Sequence, residues 1–144
     1  MGEQECRHSV TRRRVLMTSG VLAAGVVAGC ATAPVYHVAS TNRRVLIDPA
    51  GYSELAQPGG MVQLRVDHIS DPIVLVRQED SYLALSAVCT HLGCDVRPSK
   101  HFLVCPCHGS TFDLEGKAVR GPAEQPLSPY RTEVSADGIE IFLD

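Results

Sequence analysis

The feature that most constrains this chain is a pair of short segments, rich in cysteine and histidine, in its second half. The first reads Cys-Thr-His-Leu-Gly-Cys over residues 89–94, and the second reads Cys-Pro-Cys-His-Gly-Ser over residues 105–110. Together they supply four sulfurs and two imidazoles. Thiolates and imidazoles are ligands that suit zinc or iron–sulfur clusters. We therefore expect one metal centre, with two sulfurs left over for a disulfide.

The spacing of the ligands helps to distinguish the two kinds of metal. An ordinary zinc site has about two to four residues between paired cysteines and about three to five between paired histidines. Here one residue separates Cys89 from His91, and two residues separate Cys105 from His108. Each segment thus gives one sulfur and one nitrogen, which fits a two-iron centre with two cysteines on one iron and two histidines on the other. Zinc is one alternative, and two structural disulfides are another, although disulfides alone leave both histidines unexplained.

The two segments resemble the paired cluster loops of Rieske iron–sulfur proteins. The resemblance covers roughly the last hundred residues and implies one Rieske-type [2Fe-2S] cluster. The implied cluster ligands are Cys89, His91, Cys105 and His108. It also implies a disulfide between Cys94 and Cys107, because the Rieske proteins of cytochrome bc complexes have such a bridge between their cluster loops.

The same resemblance implies roles for further residues at the end of the second segment and after it. In the cytochrome bc relatives, a serine and a tyrosine after the second loop donate hydrogen bonds to sulfur, and such bonds stabilise the reduced cluster. Ser110 stands at the serine position, but Phe112 stands at the tyrosine position and has no hydroxyl. We therefore expect a potential below that of the cytochrome bc proteins and above that of the ferredoxins that serve oxygenases. Gly121 and Pro122 resemble the proline loop that covers the cluster, or else form a plain surface turn.

The apolar residues elsewhere follow the alternation of strands rather than the period of a helix. The strand-like runs are 45–47, 62–66, 73–76, 83–85, 130–134 and 139–143. Turn residues separate the runs, and the last two predict a terminal hairpin. We expect an all-β fold, which the resemblance specifies as a Rieske-type antiparallel β-sandwich with a cluster-binding subdomain of two loops at about 88–124. The remaining histidines of this part are expected at the surface: His37, His68 and His101.

The first 29 residues differ from the rest of the chain in charge and hydropathy. They carry four arginines and two glutamates, whereas the whole chain has a formal net charge of −3. Arginines at 12–14 precede an apolar stretch at 15–28, which resembles a bacterial twin-arginine signal. Val27-Ala28-Gly29-Cys30 resembles a lipobox that would make Cys30 the lipid-modified first residue. The alternatives are an ordinary secretory signal, a segment retained as a membrane anchor, and a chance resemblance.

These patterns predict a signal or membrane anchor at 1–29, a polar tether at 30–43 and a Rieske domain at 44–144. The negative net charge gives no support for binding to nucleic acid. The leading prediction is a one-electron carrier, tethered to the membrane with its domain on the periplasmic side of a bacterial envelope. Its redox partner would be a cytochrome c, a cytochrome b-like subunit or a larger oxidoreductase, and quinol is a further candidate.

Two other functions are left open by the sequence. One is the Rieske subunit of a quinol-oxidising cytochrome bc-like complex, or of a molybdenum oxidase such as arsenite oxidase. The other is a zinc-stabilised secreted binding module. The missing hydroxyl at Phe112 and the apparent lipobox favour the carrier over the complex subunit. We find no nucleophile or acid–base pair outside the cluster motif, so we expect no turnover of a substrate by the isolated chain.

Overall fold

The computed structural model of the protein describes residues 33–144, so the expected signal, the lipobox and Cys30 lie outside the described residues. Within 33–144 the helical elements are two short 3-10 helices, Pro49–Gly51 and Ser53–Ala56. This part of the chain therefore contains no helix with the length and hydrophobicity needed to cross a bilayer. The remaining regular structure is β-strand, which confirms the predicted all-β class.

Twelve strands form three sheets in residues 33–144. In chain order they are β1 (Val35–Val38), β2 (Arg44–Ile47), β3 (Met61–Val66), β4 (Ile73–Arg77), β5 (Tyr82–Ser86), β6 (Arg97–Ser99), β7 (Phe102–Val104), β8 (Thr111–Phe112), β9 (Ala118–Arg120), β10 (Pro129–Tyr130), β11 (Thr132–Ser135) and β12 (Gly138–Phe142). The five-stranded sheet has the order β1-β3-β4-β5-β10, the three-stranded sheet β11-β12-β2, and the four-stranded sheet β6-β7-β8-β9. Strands β11 and β12 form the predicted terminal hairpin.

The five-stranded sheet lies between the other two sheets and is buried on both of its faces. Val62 and Leu64 of β3 belong to the core shared with the three-stranded sheet, whereas Met61 belongs to the core shared with the four-stranded sheet. In β4 all of Ile73–Val76 is fully buried. A strand covered on both faces needs a continuous apolar run rather than an alternating one. The four-stranded sheet therefore packs against a fully buried face of the five-stranded sheet.

Strand β1 corrects the expected boundary of the domain. Residues 30–43 were expected to form a tether, but Val35–Val38 pairs in parallel with β3 as an edge of the five-stranded sheet. The Tyr36 hydroxyl donates to Oε1 of Glu54 at 2.9 Å, and the Tyr36 ring meets the Tyr52 ring edge to face at 4.7 Å. Every other strand pair of the described part is antiparallel. The predicted antiparallel sandwich is thus correct apart from this edge.

The chain between the two cysteine-rich segments forms the β6–β7 hairpin. Arg97 pairs with Val104 at its open end, and Ser99 pairs with Phe102 next to its turn. Since the first segment ends shortly before β6 and the second begins directly after β7, the open end of the hairpin brings both segments to the same end of the four-stranded sheet.

Candidate metal centre

The two cysteine-rich segments fold into loops with the same backbone conformation. In the first loop the amide of Cys89 donates to the carbonyl of Cys94 at 2.8 Å, and the amide of Gly93 donates to the carbonyl of Cys89 at 2.8 Å. The second loop repeats both bonds 16 residues further along, at 2.8 and 3.0 Å, with Gly109 in the place of Gly93. Both glycines have φ of +76°, and a Cβ at either would meet nothing within 4 Å. Glycine is therefore favoured here by backbone conformation and not by a lack of space.

The structure brings the four predicted ligand residues together in pairs. Cys89 and Cys105 are both buried, neither is in a disulfide, and their thiols are hydrogen-bonded to each other. The imidazole rings of His91 and His108 meet edge to face, with centroids 4.9 Å apart. His91 is half-buried, whereas His108 is exposed. The two sulfurs thus lie inside the protein, while the histidine pair reaches its surface.

One buried ring nitrogen of the histidine pair has no hydrogen-bond partner. Nδ1 of His91 is buried and forms no hydrogen bond. Leaving a buried polar atom unpaired costs about 1–3 kcal/mol, so such atoms are rare in stable folds. A bond from this nitrogen to a metal removes the cost. The two thiols, this unpartnered ring nitrogen and the neighbouring imidazole of His108 are therefore the four donors that a two-cysteine, two-histidine iron–sulfur cluster requires.

The predicted disulfide is present between Cys94 and Cys107, two residues 13 apart in sequence, and it joins the two loops covalently. The sulfurs of Cys94, Cys107 and Cys105 all lie within 4.8 Å of one another. Two of these three sulfurs are already bonded to each other and have no thiolate to offer a metal. The trio is consequently a free thiol beside a bridge and not a second metal site.

The two free thiols differ in how readily they ionise. Burial raises the pKa of Cys105, and the neighbouring thiol of Cys89 raises it further. Burial acts in the same direction on Cys89, but hydrogen bonds from the backbone of His91, the thiol of Cys105 and the hydroxyl of Ser110 together lower the pKa of Cys89 below its ordinary value. Since the thiolate is the form that binds metal, both sulfurs must lose their protons when a metal binds.

Ser110 connects a third loop to the cysteine pair. Its side chain is fully buried, and its hydroxyl hydrogen-bonds to Cys89. The same oxygen accepts a hydrogen bond from the amide of Ala123 at 3.0 Å. Ala123 follows Gly121 and Pro122, which are joined by a cis peptide bond. The segment predicted as the proline loop is therefore fixed to the second cysteine-rich loop through Ser110.

The first cysteine-rich loop holds the same segment through a residue that the sequence motif did not single out. The Thr90 hydroxyl donates to the carbonyl of Gln125 at 2.7 Å. Thr90 lies between two predicted ligands, and its hydroxyl was the available signal, but its partner lies 35 residues away and could not be identified from spacing. Phe112 is fully buried in the apolar core beside Cys89 and Cys105. The predicted tyrosine position thus offers no hydroxyl to the sulfurs.

The remaining histidines of the described residues were predicted to lie at the surface. The structure confirms this, since His37, His68 and His101 are all exposed.

Comparison with known proteins identifies the family. The model of the Rieske [2Fe-2S] domain matches residues 49–131 of this chain. The iron–sulfur subunit of the cytochrome b6-f complex from Microcystis aeruginosa is 47% identical over 77 residues, which cover 50% of this chain and 43% of the relative. The corresponding subunit from Chlorobaculum thiosulfatiphilum is 38% identical over 73 residues, which cover 49% of this chain and 40% of the relative. The chain thus spans less than half the length of these relatives.

A likeness among solved structures agrees with the family match. A quaternary ammonium Rieske monooxygenase in complex with L-carnitine superimposes with a TM-score of 0.54 and 29% identity, over 64% of this chain and 30% of the other. The shared part is therefore less than a third of that enzyme.

Proposed function

Because the chain belongs to the family of Rieske [2Fe-2S] domains, we propose that it is a one-electron carrier, tethered to the membrane with its domain on the periplasmic side. The family's [2Fe-2S] cluster supplies the redox chemistry when it is bound, cycling between two states that differ by one electron. The protein supplies the donors, excludes water and adjusts the potential.

One observation carries this proposal: the unpartnered Nδ1 of His91 accompanies two buried thiols that contact each other. Of the predicted ligands, Cys89, His91, Cys105 and His108, only His108 is exposed. Buried sulfurs protect a centre from solvent and from loss of iron, while an exposed imidazole gives a partner protein close access. This combination suits electron exchange between proteins better than binding of a substrate in a pocket.

The surroundings of the sulfurs favour an intermediate potential. Histidine ligation places Rieske centres at about −150 to +300 mV, against about −400 mV for all-cysteine plant-type ferredoxins. Hydrogen bonds to sulfur raise the potential within that range by stabilising the more negative reduced state. Ser110 provides one such bond to Cys89, and Phe112 provides none. We infer a potential between those of the cytochrome bc proteins and the oxygenase ferredoxins.

A second function is favoured by the relatives. Several of them are iron–sulfur subunits of the cytochrome b6-f complex, so a role as a subunit of a quinol-oxidising complex is the alternative proposal. Oxidation of a quinol releases protons as well as electrons, so such a role would couple the potential of the centre to pH. A midpoint potential that falls as pH rises would support this role. The family match gives no support to the zinc-stabilised module.

Metal analysis with a matched pair of variants tests the centre itself. Matured wild-type protein is expected to contain about two irons and two labile sulfides per chain and to give a one-electron wave in protein-film voltammetry. His108→Ser should lose this iron, whereas His101→Ser, which removes another exposed histidine, from the β6–β7 turn, should retain it. Stoichiometric zinc in place of iron, or equal iron in both variants, would contradict the assignment.

The location of the protein is tested separately. Cell fractionation should find the mature domain on the periplasmic side of the membrane. Arg12→Lys with Arg13→Lys should leave the protein in the cytoplasm, and Cys30→Ser should release it from the membrane if the lipobox is used. A Cys30→Ser protein that stays membrane-bound would show that the apolar stretch at 15–28 is retained as an anchor.

A further inference from the structure

The four-stranded sheet has one packed face and one uncovered face. In β7, Leu103 is completely buried, whereas Phe102 on the other side is 45% exposed and Val104 is half-buried. In β8, Phe112 is completely buried and Thr111 is half-buried. Because alternate residues of a strand point to opposite faces, Phe102, Val104 and Thr111 all lie on the uncovered face, which we call the outer face.

Two arginines mark the edges of the outer face. The strand register places Arg97, Val104, Thr111 and Arg120 in one row across all four strands. Neighbouring strands are about 4.8 Å apart, so the two arginines begin roughly 14 Å from each other with apolar and neutral side chains between them. Both arginines are exposed. The outer face therefore has an apolar middle and a cationic rim.

The cations of this region have no acidic partners within the described residues. The ion pairs of residues 33–144 involve Arg44, Arg65 and Arg131. The other two cations outside the region are also engaged, Arg77 with the Tyr82 hydroxyl and Arg43 with the carbonyl of Leu143. The cations that form no ion pair or side-chain hydrogen bond in this part of the chain are Arg97, Lys100, Lys117 and Arg120. All four lie in residues 97–120.

Charge is therefore segregated within the domain. Residues 97–120 carry four cationic and two acidic side chains, whereas the rest of residues 33–144 carries five cationic and twelve acidic ones. Of the two acids in 97–120, Asp113 is held by the backbone amides of Glu115 and Lys117 at 3.1 and 2.8 Å. A positive region on an otherwise negative domain orients the molecule relative to a charged partner before contact.

We propose that the outer face is a docking surface for a redox protein with an acidic surface, separate from the exposed histidine end. A polar rim around an apolar middle is typical of protein interfaces, and charge complementarity raises the rate of association. Val104 directly precedes Cys105, and Thr111 directly follows Ser110. The strands of this face thus lead directly into both ends of the second cysteine-rich loop. The inference rests on the proposed electron-carrier function.

Stopped-flow electron transfer tests this surface. Full-length holoprotein, reduced beforehand, gives one electron to the ferric haem of an acidic c-type cytochrome, which becomes ferrous. Arg97→Gln with Arg120→Gln is compared with Arg44→Gln with Arg131→Gln, since each pair removes two exposed positive charges and Arg44 and Arg131 belong to the three-stranded-sheet side. At low salt we expect the first pair to slow the reaction about tenfold and the second to change it little. The difference should disappear above about 0.5 M salt, where charges are screened.

Three results would overturn the inference while leaving the carrier function intact. The first two are equal rates for the two double variants and a wild-type rate with the acidic cytochrome that does not depend on salt. The third result would show that the face recognises lipid. The wild type would bind vesicles of anionic phosphatidylglycerol, the Arg97→Gln/Arg120→Gln protein would not, and the cytochrome rates of the two proteins would be the same. A wild-type holoprotein that reduces neither an acidic nor a basic cytochrome would instead contradict the proposed carrier function. Identical visible absorption spectra in all variants ensure that the cluster is intact.

Discussion

Replacement of Ser110 by alanine separates two effects of one buried hydroxyl. The Ser110 oxygen hydrogen-bonds to Cys89 and accepts from the amide of Ala123 at 3.0 Å. Alanine removes both interactions and leaves a space no larger than one oxygen atom. The loss of the first should change the potential of the centre, and the loss of the second should change the stability of the third loop.

The expected change in potential follows from the strength of the bond to sulfur. Hydrogen bonds to charged groups contribute about 1.5–3 kcal/mol. Only the part of this energy that differs between the reduced and oxidised states moves the potential, and we take that part as about half, or roughly 1 kcal/mol. For a one-electron couple about 1.4 kcal/mol corresponds to about 59 mV, so Ser110→Ala should lower the midpoint by about 40 mV. The sign is negative because the reduced state loses more stabilisation.

The expected change in stability has a different origin. The amide of Ala123 is buried with its residue, and without the Ser110 oxygen it has no acceptor. An unpaired buried donor costs about 1–3 kcal/mol. We therefore expect a fall of several degrees in Tm, measured by circular dichroism on the holoprotein.

Thr111→Val is the matched control for Ser110→Ala. It removes the hydroxyl of the next residue, which donates to the carbonyl of Gly109 at 3.2 Å, and it keeps a β-branched side chain in β8. Protein-film voltammetry should show the shift in Ser110→Ala and none in Thr111→Val. If Ser110→Ala has the wild-type midpoint but a lowered Tm, the hydroxyl serves only to hold the third loop, and the inferred tuning of the sulfur is wrong.

Three further predictions test other parts of the centre and fold. Phe112→Tyr should raise the midpoint by a similar amount if the added hydroxyl reaches a sulfur, and an unchanged midpoint would contradict this account of the tyrosine position. Cys94→Ser with Cys107→Ser should lower stability by about 3 kcal/mol and hasten bleaching of the visible spectrum; a wild-type bleaching rate would show that the bridge does not restrain the loops. The pKa of Glu54 lies below its ordinary value of 4.5 because its own backbone amide and the Tyr36 hydroxyl stabilise the carboxylate. The ionised carboxylate contributes to the free energy of unfolding above about pH 4.5, and this contribution is lost as pH falls through the lower, folded-state pKa. In denaturant titrations, Glu54→Gln should therefore lose less unfolding free energy on acidification than the wild type does.

The loops of the centre could be predicted because their chemistry is local. Six consecutive residues hold the predicted ligands and the disulfide cysteine of the first loop, so the resemblance that implied the ligand set and the Cys94–Cys107 bridge could be recognised within a short stretch of sequence. The buried strand Ile73–Val76 and the terminal hairpin were also apparent as apolar runs bounded by turns. These features depend on neighbours within a few residues of each other, which a linear sequence displays directly.

Features that depend on distant partners could not be predicted in this way. Strand β1 is a four-residue edge strand in which only Tyr36 and Val38 pack against the core, and its pairing with β3 spans a connection through another sheet. The bond from Thr90 to the carbonyl of Gln125 likewise joins residues 35 apart. In both cases the side chains are compatible with a surface loop, and only the tertiary fold selects the partner that makes them structural.

The shared backbone conformation explains how the two cysteine-rich loops are locked to each other. In each loop the sixth residue lies beside the first, because its carbonyl accepts a hydrogen bond from the amide of that first cysteine. Each sixth residue also reaches across to the opposite loop: Cys94 bonds covalently to Cys107, and Ser110 hydrogen-bonds to Cys89. The sixth residue therefore forms a disulfide with the opposite loop in the first case and a hydrogen bond to a predicted ligand of the opposite loop in the second. The disulfide holds the two loops together even when the hydrogen bond from Ser110 to Cys89 is absent. Ser110→Ala should therefore change the midpoint potential without releasing the cluster.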